Sequence, residues 1–197
     1  MRIATLAAIA GVGLLLAGCS KSTSGNATPT SATSGPSSSS GPPVPQVTNP
    51  LDTTKFEQNP CNLLSPDQAR ALANLVTTRL DSKAPGGPIC GWQDEHHNDV
   101  NFSFTRGGGL SDVYRNHRPD DPGYFEPVPS IAGYPAVYGS IADSRADGTC
   151  TLIVGVSNDV VMVTSSELGG TSPDEKNPCP LVQKAAEAAI ATLKAGA

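Results

Sequence analysis

Five cysteines, three histidines and a single run mixing imidazole with carboxylate are the residues of this 197-residue chain whose chemistry could define a site. A thiolate is both a nucleophile and a metal ligand, and its reactivity follows its ionisation. The mixed run is Asp94-Glu95-His96-His97-Asn98-Asp99, built of ligand types that suit zinc or manganese. Its two imidazoles are adjacent, however, and adjacent side chains on a strand point to opposite faces. The run also falls between two strand-like segments, where a polar turn belongs. It reads as a solvated hairpin loop, and no metal is expected. His117 lies near Asp112, Asp120 and Asp121, the pieces of a base with an orienting carboxylate. No Ser or Cys nucleophile sits beside it in a strand–turn–helix elbow. Gly107-Gly108-Gly109 lacks the Lys-Ser/Thr end of a phosphate loop and reads as a strand-to-helix connector. Neither a catalytic residue nor a cofactor is therefore expected.

Cys19 follows an uncharged, largely apolar run from Ile3 to Ala17 behind the lone cation Arg2. That run is shorter than the roughly 20 residues a membrane-crossing helix needs. It ends in Leu16-Ala17-Gly18-Cys19, which resembles the lipobox of bacterial lipoproteins. The resemblance implies a diacylglyceryl thioether on the Cys19 sulfur, cleavage between Gly18 and Cys19, and acylation of the new amino group. One acyl chain anchors marginally and two or three anchor firmly. Residues 1–18 are thus expected to be a lipoprotein signal peptide. The chain is expected to sit on the extracytoplasmic face of the cell membrane, held by membrane lipid at Cys19.

The other four cysteines are Cys61, Cys90, Cys150 and Cys179. In an exported chain an even remainder reads as two disulfides. Three pairings are open, and the sequence-neighbour one, Cys61 with Cys90 and Cys150 with Cys179, is favoured. Each loop of about 30 residues is worth about 3–4 kcal/mol in the chain-entropy account. No Cys-x-x-Cys occurs.

The net charge is -5 and no basic run occurs, which argues against nucleic acid and against a polybasic membrane face. Residues 19–53 are nearly all Ser, Thr, Gly, Pro, Ala and Asn, too polar to offset their ordering entropy. They read as a lipid-anchored flexible tether with a reach on the order of 30 Å. A single domain over residues 54–197 follows, long enough for one core. Ser65, Pro66 and Gln68 signal a capped helix with Ala69, Leu72, Ala73 and Val76 on its apolar face. Residues 90–93 and 100–105 read as strands. Leu110 to His117 reads as a short helix capped by Ser111, and Pro119 to Pro129 as loop. Tyr134, Ala136 and Tyr138 share one side of an extended segment. Cys150, Leu152, Val154 and Val156 alternate with Thr151 and Ile153, and a turn at 157–159 leads into Val160 to Ser165, a hairpin. A last helix spans Cys179 to Lys194. Trp92 shares a face with Cys90 and reads as core. The fold class is α+β: a mostly antiparallel sheet covered by N- and C-terminal helices. Each disulfide would clamp a helix entrance to the edge of that sheet.

Asn59-Pro60-Cys61-x-Leu63-Leu64-Ser65-Pro66-x-Gln68, Cys90-Gly91-Trp92, Phe102-x-Phe104, Ile131-Ala132-Gly133-Tyr134-Pro135-Ala136, the Cys150 strand and Pro178-Cys179 form an ordered set. With the lipobox, this set resembles the actinobacterial family of uncharacterised lipoproteins that includes mycobacterial LprB and LprC. The resemblance implies export, lipid anchoring and two disulfides. The helix–strand order also resembles PsbP/Mog1-like mixed folds. The expected role is a non-catalytic binding or scaffolding module of the cell envelope, with an envelope protein as partner. The alternative is a carrier of a lipid or other small apolar ligand, and a wall-associated hydrolase ranks last. Replacing Cys19 by Ala should move the chain from the membrane fraction to unprocessed or soluble material. A processed C19A chain that stays with the membrane would contradict the anchor.

Overall fold

The computed structural model describes residues 43–196; Gly18, Cys19, the expected signal peptide and most of the expected tether lie outside them. Seven strands form one antiparallel sheet in the order β1-β2-β3-β7-β6-β5-β4. They are β1 Thr77–Asp81, β2 Ile89–Gln93, β3 Asp99–Arg106, β4 Tyr124–Ile131, β5 Tyr134–Ser140, β6 Thr151–Gly155 and β7 Val160–Glu167. Four α-helices accompany them: α1 Thr54–Glu57, α2 Pro66–Ala73, α3 Leu110–Asn116 and α4 Cys179–Gly196.

The core lies on one face of the sheet. In α4, Leu181, Val182, Ala185, Ala186, Ala189, Ile190 and Leu193 recur at helical spacing and are buried. The helix lies against β6 and β7, and α2 lies against α4. Facing them are Val100, Phe102, Leu152, Val154 and Met162, all fully buried, with Trp92 and Tyr134 nearly so. The alanines let the helix axis approach the pleat closely, and the large β-strand side chains fill the layer.

Local signals explain the helix ends. Gln68 N–H donates to Ser65 Oγ at 3.2 Å and Ser65 N–H to Gln68 Oε1 at 2.8 Å, a reciprocal cap on α2. The helix stops at Ala73 because Asn74 adopts the left-handed conformation at φ 51°. Val76 therefore leaves the expected helical face and stands 44% exposed, while Leu75 turns inward. Helix α3 begins at Leu110 as read, but its N-cap is Gly109, with φ 55°, rather than Ser111.

Two strands go beyond the sequence pattern: β4 occupies part of the stretch expected as loop, Pro119 to Pro129, and β1 a stretch given no element. β1 follows α2 directly, and β4 runs through Pro127 and Pro129. Both are edge strands, where proline's missing N–H is tolerated. Their presence moves the cysteine strands inward. The disulfides join Cys61 to Cys90 and Cys150 to Cys179, with Cα atoms 5.1 and 5.3 Å apart. They tie the start of α4 and the turn before α2 to the interior of the sheet, not to its edge as expected. Cys90 lies on β2 inside β1, and Cys150 precedes β6 inside β5 and β4.

The domain also engages chain upstream of Thr54. Val47 N–H donates to Asn158 Oδ1 at 2.9 Å, and Leu51 N–H to Val156 O at 2.9 Å. Val47 is buried over Gly155, where a Cβ would stand 2.8 Å from Leu110 and 3.2 Å from Val47. This stretch holds apolar residues that the Ser/Gly tether lacks, so it gains burial by docking.

Glu57 of α1 accepts from Thr53 Oγ1 and holds Arg106 of β3 through two bonds of 2.6 and 2.8 Å. Burial acts to raise its pKa, but the Arg106 and Thr53 bonds outweigh it and hold the carboxyl below 4.5. A depressed carboxylate contributes stability that is complete above its unfolded value and is lost as pH falls through the folded one. Glu57→Gln should therefore lower stability near neutrality and flatten the acid limb of the stability–pH curve below about pH 4.5. Parallel acid limbs in chemical unfolding would contradict this.

Candidate functional site

The sheet face opposite α4 is divided. Towards β4 and β5 it is apolar and covered: Leu110, Val113 and Tyr114 of α3 pack on Val137, Ile153, Val161 and Val163, with Val44 and Phe125. Towards β1 the same face is polar. Cross-strand register sets Arg79, Gly91, Asn101 and Ser165 in one row, and Asp81, Ile89, Ser103 and Val163 in the next. These residues, with Glu167, line an open hollow of about 340 Å³. Odd positions of four strands, read outward from the centre, thus change from valine to serine, asparagine and charge.

The floor of the hollow is Gly91. A Cβ there would stand 2.9 Å from Asn101 Oδ1 and 3.0 Å from Asp99 Oδ1. The missing side chain is what lets both oxygens lean over the β2 backbone. The guanidinium of Arg79 lies 3.9 Å from the same point. Asp99 is 93% buried, since 7% of its surface is exposed. Its Oδ2 accepts from Gln93 Nε2 at 3.0 Å, while its Oδ1 is buried without a donor. Across the ladder Asp99 faces Glu167, and like charges opposite one another destabilise a sheet. A buried carboxylate oxygen without a partner costs about 1–3 kcal/mol. The site thus holds two unfavourable features, and the like-charge pair is the one without a counterpart in the core, where Trp92 Nε1 and Thr164 Oγ1 are likewise buried without a partner.

The residues singled out from the sequence are distributed elsewhere. Asp94 closes the β2–β3 turn: it accepts from the N–H groups of His96 and Asn98 at 2.8 and 2.9 Å and from Asn98 Nδ2 at 2.7 Å. Burial opposes these bonds, yet they lower its pKa. Its carboxylate is thus spent on the turn, and His96 and His97 point to solvent, His97 with φ 62°. Among the described residues no group of His, Cys, Asp and Glu could hold a metal ion. His117 is exposed and stacks on Phe125 at 4.2 Å. Asp112 is not its partner; it accepts from Gly108 N–H at 2.7 Å and pairs with Arg115. The glycine run accordingly binds the chain's own carboxylate. Trp92 and Tyr134 are core, and Tyr138 donates from its OH to Gln183 Oε1 at 3.1 Å.

A second hollow of about 480 Å³ lies beside the Cys150–Cys179 bridge, between Glu126, Arg145, Lys176 and Gln183. Its main cation is already committed. Arg145 bonds Asp143 and Glu126 and lies 4.1 Å over the Tyr124 ring. The Arg145 bond holds the Asp143 carboxyl down to about 2. The charges facing the first hollow, by contrast, form no ion pair with one another.

The hollow was missed in the sequence because it is assembled from four strands, one of them unforeseen. The signal available was the alternation Asp99, Asn101, Ser103 opposite Val100, Phe102, Phe104, which gives β3 a wholly polar outer face.

Residues 14–192 match a protein family described as "Protein of unknown function (DUF3558)". No curated protein matches the chain, and no solved structure does. Among the described residues no helix is long and apolar enough to cross a membrane.

Asp99→Asn supplies a donor-bearing, uncharged isostere at the orphan oxygen. It should raise unfolding stability by about 1 kcal/mol. A loss of more than that in chemical denaturation would mean that the carboxylate is a structural requirement.

Proposed function

The chain belongs to the DUF3558 family, and we propose that it is a cell-envelope lipoprotein that acts as a non-catalytic binding module. On this reading Cys19 carries diacylglycerol and acyl chains, and the domain stands on a tether at the outer face of the cytoplasmic membrane. What it presents is the polar hollow on the open sheet face. The observation that carries the reading is the unpaired set of Arg79, Asp81 and Glu167 around Gly91, with the buried Asp99 oxygen behind it. Buried polar groups without partners are stability given up, and such departures concentrate at functional sites.

The chemistry favours a short polar ligand with both a carboxylate and an amine. Arg79 offers the planar fork that carboxylates fit. Glu167, Asp81 and Asp99 offer acceptors for an ammonium group, and Asn101 offers both an acceptor and a donor for an amide. A tethered domain facing the wall would meet such groups on wall peptides. Nothing in the hollow pairs a nucleophile with a base, which weighs against the hydrolase. The carrier reading gains less support: the core side is filled by Phe102, Met162, Ile190 and Leu193, and the hollows described open to solvent. The ordered motif set supports kinship with LprB and LprC, and the helix–strand order supports a PsbP/Mog1-like arrangement.

Titrating soluble peptidoglycan peptides into the protein, followed by backbone amide shifts, tests the reading. Shifts should cluster at Asn101, Ser103, Ser165 and Glu167, and Arg79→Ala or Glu167→Gln should weaken binding by about tenfold. Shifts centred between α2 and α4, or binding indifferent to both substitutions, would overturn it.

A further inference from the structure

We propose that β1 is an interface strand, to which a second copy of this chain adds antiparallel about a two-fold axis through Leu80. This goes beyond the binding reading and stands without it. The two edges of the sheet are not alike. β4 carries Pro127 and Pro129, which deny a neighbour its donors. β1 has no proline, no strand lies outside it among the described residues, and every one of its residues is exposed. Val76 at 44% and Leu80 at 42% are two of the three exposed large apolar side chains among the described residues, and both sit on this edge.

Sequence selects the occupant and the register. Edges are commonly guarded by like charges, which repel a second copy. β1 instead carries Arg79 and Asp81, of opposite sign and two residues apart, so both lie on the same face. In an antiparallel pair centred on Leu80, Arg79 of each copy stands directly opposite Asp81 of the other. On the opposite face Leu80 meets Leu80. A pair centred on Arg79 would set guanidinium against guanidinium. A pair centred on Thr78 would leave Asp81 beyond the overlap and form no ion pair. One carboxylate oxygen of Asp81 accepts from Lys83 N–H at 2.9 Å, and the other remains for the arginine. Opposite charges and apolar pairs directly across a ladder stabilise it. Arg79 and Asp81 also line the hollow, so pairing sets the two hollows end to end as one trough with its charges balanced at the seam.

The full chain in mild detergent provides the test, by sedimentation over the micromolar to millimolar range with hydrogen exchange on the same samples. A concentration-dependent dimer should appear, weaken with added salt, and bring exchange protection to Arg79–Asp81 but not to β4. Arg79→Asp or Asp81→Arg alone should reduce association at least several-fold, and the combined swap should restore it. These side chains are exposed, and an unchanged near-ultraviolet dichroism spectrum separates lost pairing from misfolding. A chain that stays monomeric with β1 unprotected would overturn the proposal. So would protection centred elsewhere, or a swap that fails to restore association.

Discussion

Two sulfur–sulfur bonds hold this domain's layers in register, and the rest of the structure depends on them. Cys61–Cys90 fixes the turn before α2 to the second strand of the sheet, and Cys150–Cys179 fixes the first residue of α4 to the start of β6. Both bonds lie on the side of the sheet where the core is built. With α4 pinned at its start, its stripe from Leu181 to Leu193 can fall on β6 and β7 in only one way. A thin helix-on-sheet layer of this size gains from such staples, because a small core leaves little margin.

Coverage of one face releases the other. Ile153 of β6 and Val161 and Val163 of β7, which face away from α4, find a second, smaller cover in α3 and the docked segment around Val44. That cover ends before β3. Beyond it, Asn101, Ser103 and Ser165 face solvent, and Gly91 lets two acceptor oxygens lie close over the backbone. The hollow is thus a consequence of where α3 stops. Its chemistry comes from which residues occupy the exposed odd positions.

Much of this was legible in the sequence and some was not, for separable reasons. The Ser65–Gln68 cap, the alternation of Phe102 with Ser103, the hairpin through residues 157–159 and the last helix are local patterns, and each is found as read. β1 and β4 escaped because their information is tertiary. Thr77–Asp81 has one apolar residue and follows a helix, while two prolines interrupt β4. What makes both strands is a neighbour's free edge. Without these two strands the cysteines fall at the rim of the sheet, and the hollow, whose Arg79 and Asp81 belong to β1, has no outer wall. The spacing of Val76 fits the apolar face of α2, but the left-handed Asn74 ends the helix two residues earlier. The histidines drew attention by residue type alone, yet a turn and an aromatic stack account for them.

On the proposed reading, the oxidised sulfurs and a thioether-linked lipid on Cys19 belong together, since both require passage out of a reducing cytosol. The most direct measurement of that union is the intact mass of the mature chain from native membranes, taken before and after reduction. The account predicts a chain starting at Cys19, heavier by a diacylglyceryl group and an acyl chain, that takes up the hydrogens of two disulfides on reduction. A mass that begins at Met1, with four thiols already free, would contradict it.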